Sequence, residues 1–201
     1  MSVVQPLDNL DMIQAMRNAL SNREGDLRRG YASEATIARD LLFFTMLINT
    51  GFRPSDAVKL PADKEFFAGS SFRIKMKKTS QYTEVGIGES LRFALDAYWV
   101  AHENPGEFLF YSTAGGIRNI GGHLDRRWAW EFFKKWSERA GLEGTFGGTT
   151  GRRTCATFIY LSTGRIEDAQ AILGHKDSAT TLRYINVIRE QALEAQSSLG
   201  L

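Results

Sequence analysis

Five side chains stand out by type: Arg53, Lys78, Arg152, His175 and Tyr184, each set in a short segment rich in Thr, Ser or Gly. Arginine is a permanently charged planar fork that suits phosphate or carboxylate oxygens, lysine and histidine can hand over a proton, and a tyrosine hydroxyl can become a covalent nucleophile. Taken singly, each also has an ordinary structural reading. Arg53, beside Pro54, can cap a helix C-terminus, and Arg152 can pair with a surface acid. His175 after Gly174 can be a turn histidine, and Tyr184 can be half-buried with its hydroxyl bonded to a neighbour. The excluded chemistry is plainer. Cys155 is the one cysteine among 201 residues and there are three histidines, so an internal disulfide and a thiolate metal cage are out and zinc sites lose most of their ligands.

Bulk charge decides nothing. The chain has 25 Lys+Arg against 23 Asp+Glu, a net +2, well short of the strongly basic balance that announces a nucleic-acid binder. Its distribution says more. Arg73, Lys75, Lys77 and Lys78 crowd one segment without an acid, and Arg152 and Arg153 sit side by side in what reads as a Gly- and Thr-rich turn. Such clusters are ordinarily a solvated surface. With 43% hydrophobic and 24% charged residues the chain has the composition of a globular protein. The longest apolar stretch, around Leu41 to Ile48, falls far below the roughly 20 residues that cross a bilayer, so no membrane span and a reducing, cytoplasmic setting are expected.

The elements that must position these residues are legible in the periodicity. Leu7, Leu10, Ile13, Met16 and Leu20 recur at helical spacing and predict a first helix with these five on its apolar face. A polar stretch, Ser21 to Ser33, follows. A second helix carries Ile37, Leu41, Phe44 and Ile48, with Ser33 as N-cap and Gly51 as C-cap, and Pro54 marks a new helix start. Phe72, Ile74 and Met76 alternate with Arg73, Lys75 and Lys77, the period of a half-buried strand; its partner is Tyr82 to Ile87, with Lys78 to Gln81 as the hairpin turn. Further helices are predicted over Glu89 to His102, along the face Leu124, Trp128, Phe132, Trp136, and over Thr154 to Leu161, Ile166 to Leu173, Ser178 to Val187 and Arg189 to Ser198. The aromatics of the Leu124 to Trp136 face are read as core. The fold class expected is mainly α with a small antiparallel β-sheet.

In their order along the chain, four segments resemble the catalytic domain of the tyrosine recombinases, also called phage integrases. Thr50-Gly51-Phe52-Arg53-Pro54-Ser55-Asp56 resembles the first box of that family, and Lys77-Lys78-Thr79-Ser80 sits in a hairpin turn where the family carries a lysine. Arg152-Arg153-Thr154-Cys155-Ala156-Thr157 is similar to the second box; Leu173-Gly174-His175, followed by Thr180-Thr181 and Tyr184, is similar to the last. His175 precedes Tyr184 by 9 positions, Arg152 precedes it by 32, and Arg53 precedes Arg152 by 99, separations like those of the family. The resemblance runs from Leu7 onward. It implies one catalytic domain over residues 1–201, with about 1–6 and 188–201 as extensions, and without the N-terminal domain by which most members clasp the other face of DNA.

The resemblance implies a site-specific recombinase that cuts and rejoins DNA through a 3′-phosphotyrosyl intermediate, without metal, ATP or other cofactor. In that scheme Tyr184 attacks, Arg53 and Arg152 hold the phosphate oxygens, Lys78 protonates the departing 5′ oxygen and His175 donates a hydrogen bond. Lys75, Lys77 and Arg153 are expected to contact DNA. The implied partners are a double-stranded DNA site and further copies of the chain, a dimer per site and a tetramer when two sites join. One departure stands out: Thr149 occupies the place, three before Arg152, where the family has a histidine, and Gly151 replaces a usual apolar residue. The His-x-x-Arg at His123 to Arg126 lies too far from Tyr184 and is read as a decoy on a helix flank. Thr149 keeps open a non-catalytic DNA-binding relative, and a type IB topoisomerase that only relaxes DNA is the other alternative.

Overall fold

The computed structural model describes residues 4–75, 82–103, 106–112, 122–174 and 181, apart from the Arg126 side chain. The helices are α1 Leu10–Ser21, α2 Glu24–Arg28, α3 Glu34–Thr50, α4 Pro54–Ala57, α5 Glu89–Ala101, α6 Arg126–Arg139, α7 Thr150–Thr163 and α8 Ile166–Leu173. Strands β1 Ser71–Lys75 and β2 Tyr82–Gly86 pair antiparallel with Phe72 opposite Val85, the register that puts both on the buried face. Mostly helical with one small antiparallel sheet is the expected class. The last two predicted helices, apart from Thr181, lie outside the described residues. None of the described helices is long and apolar enough to cross a membrane.

Helix α3 is the axis of the molecule. The Ser33 hydroxyl accepts from the Thr36 N–H at 3.1 Å, starting the helix, and Gly51 ends it in the left-handed region at φ 63°. Leu42, Phe43, Phe44, Met46 and Leu47 are buried on several sides because α1, α5 and α7 all pack on this one helix. Phe43 is a hub: Phe110, Trp128 and Phe132 each meet it edge-on at 5.1 Å between ring centres, the arrangement that aromatic quadrupoles favour. The aromatic face of α6 is therefore core, as predicted.

Charge is buried as well. Arg23 and Arg39 converge on Asp40, at 2.8 Å and 2.9 Å, and Arg39 also donates to the Tyr111 carbonyl at 3.1 Å. All three are nearly inaccessible, so each charge depends on its partners for the solvation that water would otherwise supply. Arg23 lies in the stretch read only as polar; that stretch also contains α2, which at five residues is too short to show a period.

Three placements differ from expectation. Leu10 is 71% exposed, because α1 begins there on the Asn9 cap and the buried face starts a turn later, at Ile13; Leu7, ahead of the helix, fills the core position instead. Arg152 and Arg153 stand in the first turn of α7, not in a turn before it. His123 is on no helix: it forms an isolated antiparallel bridge with Tyr111, its Nδ1 lies 2.7 Å from the Leu124 carbonyl, and its ring meets Phe108.

Candidate active site

The turn after α3 is built to present Arg53. The Thr50 hydroxyl donates to the Met46 carbonyl at 2.7 Å and accepts the Phe52 N–H at 3.2 Å, closing the turn around Gly51. Pro54 opens α4 and holds Arg53 extended, at φ −69°, ψ 140°, with its side chain outside the helix. Arg53 is half-exposed, and no described residue hydrogen-bonds or ion-pairs with its guanidinium. Asp56 of the same segment is buried, with one carboxylate oxygen that has no hydrogen-bond partner among the described residues.

Arg152 joins three of the four segments. Its Nη1 donates to the Gly51 carbonyl and its Nη2 to the Leu173 carbonyl, both at 2.5 Å, and the side chain is 3% exposed. The planar fork can reach both helix ends at once, which a lysine ammonium cannot do with the same fixed geometry. Gly51 is required here twice over. Its φ is positive, and a Cβ on it would come within 3.0 Å of Leu173 Cδ2 and 3.3 Å of Cys155 Sγ. The ends of α3 and α8 and the first turns of α7 thus meet around one glycine. Leu173 is the last residue of α8, two before His175, which like Tyr184, Lys77 and Lys78 lies outside the described residues.

The first turn of α7 is helical despite Gly151 because packing overrides propensity. A Cβ at Gly151 would stand 2.7 Å from Leu47 Cβ and 2.9 Å from Phe133 Cζ, so the missing side chain lets α7 sit directly against α3 and α6. Thr149 is the exposed N-cap residue of this helix, and its side chain makes no cap hydrogen bond. Arg153 is half-buried, whereas Lys75 is exposed at the last pair of the hairpin, opposite Tyr82. The root of that hairpin is seated against the first segment: the Phe72 ring lies 6.0 Å from that of Phe52, the residue before Arg53. Burial pushes the Cys155 thiol up to about 12, against the pull of the nearby Arg152 charge, so it stays a packed thiol and no nucleophile.

Residue types alone do not disclose the groups that hold Arg152, because they are backbone carbonyls. The bond between Thr150 and the Gln5 carbonyl, which ties the start of α7 to the segment before α1, likewise has no signature in the sequence.

The phage integrase family matches residues 12–191. Similar curated proteins include tyrosine recombinase XerC of Actinobacillus pleuropneumoniae, 28% identical over 85% of this chain and 55% of its own length. The probable integrase/recombinase YoeC of Bacillus subtilis is 26% identical over 100% of this chain and 99% of its own. Among solved structures, the XerH site-specific recombinase bound to palindromic difH substrate, a post-cleavage complex, superposes with a TM-score of 0.74 at 21% identity; the match covers 98% of this chain and 54% of that one. The chain spans about half the length of XerC and XerH, and nearly all of YoeC.

Proposed function

Because the chain belongs to the phage integrase family, we propose that it is a site-specific DNA strand transferase, with Arg53, Lys78, Arg152, His175 and Tyr184 as its catalytic residues. The Tyr184 hydroxyl oxygen attacks the scissile phosphorus; a phosphotyrosine bond to the 3′ side forms as the bond to the 5′ oxygen breaks, and the tyrosine proton is released. Lys78 gives the 5′ oxygen its proton. Charge building on the non-bridging oxygens is met by the Arg53 and Arg152 forks and by a hydrogen bond from His175. Rejoining is the reverse: a 5′ hydroxyl attacks the phosphotyrosine and Tyr184 leaves. Lys75, Lys77 and Arg153 contact the DNA backbone, and copies of the chain act in pairs on each site, four when two sites join.

The observation that carries this reading is the pair of hydrogen bonds that the Arg152 fork donates to the Gly51 and Leu173 carbonyls, which draws the first, second and last segments together. Exposed Thr149 in place of a histidine favours one rival, a relative that binds DNA without cutting it. A duplex selected by binding from a random-sequence pool, then nicked near its centre to trap covalent product, separates the two. Wild type is expected to give a covalent band on a denaturing gel in EDTA, and Tyr184→Phe to bind without one. Binding with no covalent band from wild type would establish the rival.

A further inference from the structure

The segment Gln5 to Leu7, ahead of α1, lies along one side of α7 and is bonded to it at two levels. The Thr150 hydroxyl, fully buried, donates to the Gln5 carbonyl at 2.9 Å and accepts the Gly147 N–H at 3.0 Å. One helical turn further on, the buried Thr154 hydroxyl accepts the Leu7 N–H at 2.8 Å. Gln5 reaches back as well: its N–H donates to the Thr145 carbonyl at 2.8 Å, and its side-chain oxygen accepts the Thr145 N–H at 3.2 Å. Gln5 and Pro6, expected within an extension, are therefore tied to the loop that enters α7. Pro6 is buried.

Thr150 and Thr154 share a face of α7, and Arg152, two residues from each, projects about 200° around the helix toward Gly51 and Leu173. A rotation or slide of α7 that loosened the strap would move the Arg152 fork by a comparable amount. Close contact of Gly151 with Leu47 and Phe133 removes lateral slack, and the two threonine bonds fix rotation and axial register on the side of α7 away from the Arg152 fork, whose own bonds to Gly51 and Leu173 fix the other side. We propose that Thr150 and Thr154 are positioning residues for strand cleavage, their bonds to the Gln5 carbonyl and the Leu7 N–H acting through α7 to hold the Arg152 guanidinium in place for the phosphate. This rests on the recombinase reading for its consequence in cleavage, though not for its consequence at Arg152.

Two readouts test it. By NMR, the Arg152 guanidinium in wild type should show hindered rotation and slowed hydrogen exchange, and Thr150→Val, which keeps the shape and removes the hydroxyl, should abolish that protection while Thr150→Ser retains it. On the selected nicked duplex at saturating protein, Thr150→Val should form covalent complex about tenfold or more slowly with affinity unchanged within about twofold, because a displacement near 1 Å costs that order in rate without removing phosphate contacts. Thr150→Ser should restore the rate. Thr154→Val, which removes the acceptor of the Leu7 N–H one turn along the same strap, should slow cleavage in the same sense, and serves if Thr150→Val does not fold. Unchanged Arg152 protection in Thr150→Val, or in Thr154→Val where the former is unfolded, overturns the proposal even for a wild type that does not cleave. So does a cleaving wild type whose variants keep its rate, or lose rate and binding together.

Discussion

Thr149 is where the sequence departs from the pattern expected of the resemblance, and its surroundings bear on how much that matters. It is exposed, stands at the helix N-cap and makes no side-chain cap hydrogen bond, so replacing it removes no cap from α7. A threonine hydroxyl cannot take up a proton near neutral pH, whereas an imidazole can. Thr149→His is accordingly expected to cleave a nicked duplex at least as fast as wild type in single-turnover measurements at neutral pH. His123→Ala should cleave at the wild-type rate, since the His123 ring is engaged by Phe108 and the Leu124 carbonyl. A severe loss of cleavage in His123→Ala would transfer the missing role to that residue. The departure at 149 was legible because residue types at set separations are what a sequence displays. The holding of Arg152 was not, since a backbone carbonyl at Gly51 or Leu173 carries no signature in the residue's own side chain.

Among elements, those with their own local signals were readable and those that depend on neighbours were not. Ser33 and Gly51 bracket α3 in the sequence as they do in the structure, and alternation between Phe72 and Lys75 located the hairpin. Helix α2 has no period to read, and the start of α7 was masked by Gly147, Gly148 and Gly151, which look like a turn until α3 and α6 are brought against them. Gly151→Ala weighs these two influences against each other. On propensity alone alanine favours a helix by about 1 kcal/mol over glycine. The added methyl, however, would sit 2.7 Å from Leu47 Cβ and 2.9 Å from Phe133 Cζ, neither of them the free end of a flexible chain, and overpacking of this kind costs roughly 1–3 kcal/mol. Packing should win. The variant is expected to be less stable than wild type in urea unfolding at pH 7, and an equal or higher midpoint would show that α7 can shift outward without cost.

At the scale of the whole molecule, two titratable groups, Asp26 on α2 and His102 at the end of α5, make stability depend on pH in two separate ranges. Asp26 accepts from Arg139 at 2.6 Å and lies 3.5 Å from Arg23, and these hold its carboxyl at about 2 instead of 3.8. Its contribution is therefore complete above pH 3.8 and is lost as the pH falls through about 2. His102 governs the milder range. It is buried at the end of α5, stacked on Tyr98 at 4.0 Å, with Nδ1 donating to the Tyr98 carbonyl at 2.9 Å and Nε2 without a hydrogen-bond partner among the described residues. Tyr111 meets its ring edge-on and the Arg39 charge lies near, so a second proton on the ring would be buried beside a positive charge. Burial, aided by Arg39 and partly opposed by the Tyr98 carbonyl, holds its pKa below 6.5. The unfolded chain then binds a proton that the folded one refuses, and stability present above pH 6.5 declines as the pH falls below that value. His102→Asn keeps a side-chain donor for the Tyr98 carbonyl but cannot titrate. The fall in Tm between pH 7 and pH 5 should be smaller in that variant than in wild type, whatever the two proteins' stabilities at pH 7. An equal fall in both would assign the acid sensitivity of this range to other groups and leave His102 as a packing residue alone.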